Sequence, residues 1–75
     1  MVPIIKAARL IPILVRLGFR VIGQKGSHVK LRHILDSGRQ VTIPMHSKDL
    51  RKSTLLLILK QSKLTLADFL QVLRK

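Results

Sequence analysis

Three short stretches in which apolar and polar residues alternate, each closed by turn residues, constrain this chain more than any other feature. Phe19 to Gln24, Ser27 to Ile34 and Arg39 to Pro44 have the length and β-branched content of strands. Lys25-Gly26 predicts a hairpin turn between the first two, and Asp36-Ser37-Gly38 marks the next. Side chains on a strand point alternately to opposite faces, so Val29 and Leu31 share one face while His28, Lys30 and Arg32 share the other. In the third stretch Val41 and Ile43 go with the apolar face, leaving Gln40 and Thr42 opposite. The expected sheet is therefore apolar on one side and basic on the other.

The flanking segments supply the cover for the apolar side. Leu10, Ile13, Leu14 and Leu17 recur at helical spacing over residues 8–17, and Gly18 suits the position just past a helix end. Pro12 fits best if that helix starts only three or four residues before it, where the first amide donors have no partner in any case. After a loop from Met45 to Lys52, Ser53 and Thr54 read as caps of a second helix with Leu55, Ile58 and Leu59 inward. A last helix opens at Thr65, with Asp68 placed for a capping box and with Leu66, Phe69, Leu70 and Leu73 along one stripe. The expected class is α+β, in the order α-β-β-β-α-α, as one domain spanning residues 1–75.

With 75 residues and no cysteine, neither a large core nor a disulfide supports the fold. A chain this small buries only roughly 60% of its unfolded surface, so a partner covering apolar area is expected. The absence of cysteine suits a reducing, cytoplasmic compartment. The N-terminal stretch is apolar, but Lys6, Arg9 and Arg16 interrupt it well short of the roughly 18 uncharged residues of a membrane span, so no membrane role is expected. Fifteen Lys and Arg against three acids give a formal charge of +12. A polyanion, most commonly nucleic acid, is the natural partner.

The same scarcity of acids narrows the chemistry. Cleavage of phosphodiesters by divalent cations needs clustered carboxylates, and the three here, Asp36, Asp49 and Asp68, are scattered, the first and last already suited to a turn and a cap. His28, His33 and His46 are too few to make a zinc site once alternation sends His28 and His33 to opposite faces. No metal or other cofactor is expected. RNA carries its own nucleophile in the 2′-hydroxyl, and an imidazole, which titrates freely near about 6.5, is the side chain best matched to removing its proton. His28 is the candidate base. Lys25, Lys30 and Arg32 could hold the phosphate, Gly26 would let backbone amides approach it, and Ser27 adds a hydroxyl. Spacing alone leaves open that His28 is a solvated strand residue. It also leaves the second proton carrier open between His46 and a lysine.

The stretch GFRV through QKGSHVKLRH, then VTIPMH, then STL with ILKQ, resembles HicA-type (YcfA-like) toxins that cleave messenger RNA, over roughly Arg9 to Phe69. The ordered set of a hairpin, a G-S-H opening the second strand and a V-x-x-P-x-H strand end carries the resemblance. It implies a double-stranded-RNA-binding-like α-β-β-β-α fold, endoribonuclease activity without a metal, and a catalytic role for the histidine at His28. It also implies a HicB-type antitoxin that binds over the active face. With the loop residues His46 and Lys48, the expected RNA surface is Lys25, Gly26, Ser27, Lys30 and Arg32. The chain departs from the family pattern at Arg9-Leu10-Ile11-Pro12-Ile13, at Ser53, and at Leu56-Leu57, where the family more commonly has a polar residue. The two leucines suggest an interface with the antitoxin or a second copy, or else a tighter seam with the last helix.

Two other functions fit the composition. A non-catalytic module could use the same basic face to bind duplex RNA, since Phe19 and Phe69, the only large aromatics, are both expected in the core and leave no platform for stacking single-stranded bases. A cationic membrane-active peptide is the third reading; it would not depend on His28.

Overall fold

Alternation is carried into the structure most directly by the middle strand. In this computed structural model, which describes residues 4–45 and 49–74, His28–His33 forms β2 between β1 (Phe19–Lys25) and β3 (Gln40–Pro44). All three are antiparallel in the order β1-β2-β3. Val29 and Leu31 are buried while His28, Lys30 and Arg32 are exposed, and Val41 and Ile43 continue the buried face in β3. Helices α1 (Ala7–Arg16), α2 (Lys52–Ser62) and α3 (Leu66–Leu73), with Ile5 just before α1, supply the rest of the core. Leu10 and Leu14 from α1, Leu55, Ile58 and Leu59 from α2 and Phe69 from α3 pack with Phe19, Leu31, Val41 and Ile43 into one cluster. The expected α+β order is the observed one.

Local chemistry explains most element ends. Past α1, the Leu17 N–H bonds back to Ile13 and Leu14, and Gly18 takes φ +98°, a conformation that favours glycine, before Phe19 enters the sheet. At α3 the Thr65 hydroxyl accepts from the Asp68 N–H at 3.0 Å while the Asp68 carboxylate accepts from the Thr65 N–H at 3.2 Å, the capping box expected there. Asp36 serves its turn, its Oδ1 accepting from the Gly38 N–H at 3.0 Å.

Four expectations need correction. Helix α1 begins at Ala7, so Pro12 is its sixth residue rather than part of its first turn. The missing N–H deprives the Ala8 carbonyl of its helical partner, but Ala8 and Pro12 are both exposed and water can serve that carbonyl. Helix α2 begins at Lys52, with Arg51 at the N-cap and no side-chain cap, so Ser53 and Thr54 lie within the first turn. The hairpin turn is Gly26-Ser27, with Lys25 still in the ladder opposite His28. Positive φ at Gly26 alone (+57°) is the pattern that puts glycine first in a two-residue turn. Finally, Leu56 and Leu57 are 41% and 53% exposed, so a seam with α3 does not bury them.

One side chain ties the sheet to the end of α2. Arg39 donates its Nε–H to the Ser62 carbonyl at 2.8 Å, and its guanidinium lies 5.4 Å from the centre of the Phe19 ring. Ser62 is fully buried, and its hydroxyl is satisfied by the Leu59 carbonyl at 3.0 Å. The ring of His33 meets Phe19 edge to face at 5.0 Å. This end of the molecule is thus fixed by polar and aromatic contacts together.

Candidate nucleic-acid interface

The outer face of the sheet is set by register. Lys25 pairs across the ladder with His28, Gly23 with Lys30, and Arg20 with Arg32. On the other side His28 faces Pro44, Lys30 faces Thr42, and Arg32 faces Gln40. Directly paired residues share a face, so one side of the sheet carries Arg20, Lys25, His28, Lys30 and Arg32. All five are exposed. No carboxylate stands among these paired positions.

Lys25 reaches this face through a β-bulge. From Phe19 to Lys25 is six steps (25 − 19), whereas their partners His33 and His28 are five apart (33 − 28). In a flat strand an even number of steps would return Lys25 to the buried face of Phe19. The register shifts between Val21 and Gly23. That extra residue turns the rest of the strand over, so Phe19 stays inward and Lys25 points out beside His28. In the sequence the signal is the adjacent apolar pair Val21-Ile22 before Gly23, which breaks the alternation.

Lys25, His28 and Lys30 line one shallow concavity of about 500 Å³ together with Ile22, Gly23, Gln24 and Thr42. Gly23 matters here by what it lacks. A Cβ at this position would meet nothing within 4 Å, so the floor opposite Lys30 stays open. Gly23 and Gln24 are not among the expected site residues, whereas alternation already sets Thr42 on the basic face. The pairing register sets Gly23 and Thr42 on either side of Lys30. Gln24 also braces the turn, donating its Nε2–H to the Gly26 carbonyl at 3.1 Å.

Gly26 and Ser27 form the exposed tip beside this concavity. The space around Gly26 is open, with nothing within 4 Å of a Cβ built there. The Ser27 carbonyl accepts the Met45 N–H, which draws the chain leaving β3 up against the turn. His46 and Lys48, expected at the RNA surface, lie outside the described residues. Arg32 does not join His28. It lines a second concavity of about 510 Å³ with Arg20, His33, Ile34, Leu35 and Ser37. The expected surface is thus divided along the sheet into two hollows.

Among the described residues, no three His, Cys, Asp or Glu side chains gather as a metal site would require. Also among them, no helix is long and apolar enough to cross a membrane. Phe19 and Phe69 are both buried, as expected, and offer no surface to a base.

The family model described as the HicA toxin of bacterial toxin–antitoxin systems matches residues 7–64. No curated protein matches the chain. The matched segment runs from the start of α1 to just past α2, so it contains every residue of both concavities.

Proposed function

The chain belongs to the HicA toxin family of bacterial toxin–antitoxin systems, and from that premise we propose that it is an endoribonuclease that cleaves messenger RNA with His28 as general base and no metal ion. The observation that carries this reading is the exposed concavity in which Lys25 stands directly across the ladder from His28, with Lys30 beside it. An imidazole there is open to a 2′-hydroxyl, and two ammonium groups flank the place where the phosphate would lie.

The chemistry follows from those positions. His28 takes the proton of the 2′-hydroxyl as its oxygen bonds to phosphorus. The bond from phosphorus to the 5′-oxygen breaks, and that oxygen takes up a proton, leaving a 2′,3′-cyclic phosphate and a 5′-hydroxyl. Charge builds on the non-bridging oxygens during the attack, and Lys25 and Lys30 offset it. The open floor at Gly23 admits the sugar–phosphate backbone to this depth.

Toxins of this family act with a cognate antitoxin. A HicB-type antitoxin seated on the outer face would silence the site by covering His28. The exposed Leu56 and Leu57 lie on α2, which packs on the opposite side of the sheet, and we assign them to self-association.

The decisive assay incubates purified chain with RNA in the presence of a chelator. Cleavage to cyclic-phosphate ends is expected for the wild type and none for His28→Ala, with circular dichroism unchanged because His28 is exposed. A folded His28→Ala variant that cut at the wild-type rate would remove the histidine from the mechanism. Chelator-sensitive cleavage would overturn the metal-free reading.

A further inference from the structure

The second concavity is unexplained by the chemistry at His28. We propose that Arg20 and Arg32, with the lip formed by Ile34 and Leu35, make a separate nucleotide subsite that grips single-stranded RNA a short distance from the point of cleavage. The inference rests on the proposed ribonuclease function and extends it to a part of the substrate that does not react.

Three observations support the subsite. Arg20 and Arg32 are direct cross-strand partners on the exposed face. Like charges placed opposite each other weaken a sheet, and Asp36, the acid nearest in sequence, is turned to its own loop through the Gly38 N–H. A bound phosphate would relieve that repulsion, and two guanidinium forks suit its oxygens better than two ammonium groups would.

Ile34 and Leu35 are 62% and 87% exposed on the rim of the same hollow. They are not on a slack loop. The Ile34 N–H bonds to the Gly18 carbonyl at 2.8 Å, the Leu35 N–H to His33 Nδ1 at 3.1 Å, and the His33 N–H to the Arg39 carbonyl at 3.0 Å. The backbone is therefore pinned with two apolar side chains held outward, a preformed surface for the face of a base in a chain whose aromatics are buried.

The hollow also lies on the substrate's path. Arg32 follows His28 by four residues on the same face of β2, about 13 Å along the strand, a distance that a few nucleotides cover. RNA laid along β2 from the His28 concavity thus meets the arginine pair next.

The test measures binding, using His28→Ala as the parent so that the RNA stays intact. Its affinity for a single-stranded RNA of about 12 nucleotides, a length such small domains can occupy, is titrated over a range of salt. Adding Arg20→Ala is expected to weaken binding about tenfold and to flatten the log–log salt slope by about 0.7. Arg20→Lys should keep the slope while losing part of the affinity. Leu35→Ser should weaken binding about threefold with the slope unchanged, because an apolar contact releases no counterion. These positions are exposed, so the variants should fold. Full affinity and an unchanged slope in Arg20→Ala would overturn the subsite while leaving cleavage at His28 standing. If that variant instead lost affinity only for the antitoxin, the hollow would be a protein-docking site and the proposal would fail. If the parent bound no RNA even at low salt, the subsite and the proposed function would fall together.

Discussion

Gly18 leaves the room that the imidazole of His33 occupies: a Cβ built on Gly18 would lie 2.6 Å from His33 Nε2. That imidazole meets Phe19 edge to face and accepts the Leu35 N–H, so one glycine supports both the edge of the core and the lip of the second concavity. Its backbone adds a separate constraint, since φ at Gly18 is +98°. Gly18→Ala should therefore cost about 2 kcal/mol or more, from backbone strain and displacement of the ring. For a domain of this size that is a fall in Tm of roughly 8–16 °C. Thermal unfolding followed by circular dichroism checks it, with Gly23→Ala as the contrast. Gly23 has open space and no positive φ, so its substitution should leave Tm nearly unchanged. Equal effects at the two glycines would refute the packing argument.

The bulge in β1 makes a prediction about catalysis. Because Lys25 is turned out beside His28, Lys25→Gln should slow single-turnover cleavage by at least about tenfold, less than the loss of a donor in a water-excluded site because this one is exposed to solvent. Lys25→Arg should recover a substantial part, since the charge returns with different geometry. Cleavage by Lys25→Gln at the full rate would show that the cross-strand ammonium does not contact the reacting phosphate.

Much of this architecture was legible because alternation survives folding wherever one face of a strand is buried. Val29 and Leu31 inward with His28, Lys30 and Arg32 outward follow directly from the side-chain period of two. The bulge was not legible in that way, since a period of two cannot show where one extra residue is absorbed. It decided the face of Lys25, which stays in the ladder opposite His28 and leaves Gly26-Ser27 as the turn. The division of the basic face into two hollows was also hidden. It depends on which β1 residue lies across from each β2 residue, and Arg20 gains its role only from that register. The starts of α1 and α2 were misplaced because neither Lys6 nor Arg51 caps its helix with a side chain, leaving no capping signal at either point.

The junction of α2 and α3 is a place where stability can be adjusted in both directions. Lys63 ends α2 at φ +58°, with its N–H on the Lys60 carbonyl and the Leu64 N–H on the Leu59 carbonyl, a closing motif that favours glycine. Lys63→Gly should stabilise the fold by up to about 1 kcal/mol by removing the left-handed strain of a residue with a Cβ. Thr65→Ala, two residues on, removes the capping-box acceptor and should cost about 1 kcal/mol. Urea titrations of both variants measure these changes, and shifts of the same sign would contradict the assigned roles.

Self-association through α2 should carry its own electrostatic signature. Leu56 and Leu57 are partly exposed on a helix whose buried stripe is Leu55, Ile58 and Leu59. Replacing both with Gln should therefore change stability by no more than about 0.5 kcal/mol per site. Two copies at a formal +12 each repel one another, so an apolar contact between them should tighten as salt rises and screens that repulsion. RNA binding has the opposite dependence, because salt competes with every phosphate contact. Sedimentation equilibrium of the wild type should accordingly show average mass increasing with salt, while Leu56→Gln/Leu57→Gln stays monomeric throughout. A wild type that remained monomeric at high salt and high protein concentration would show that these leucines do not join two copies of the chain.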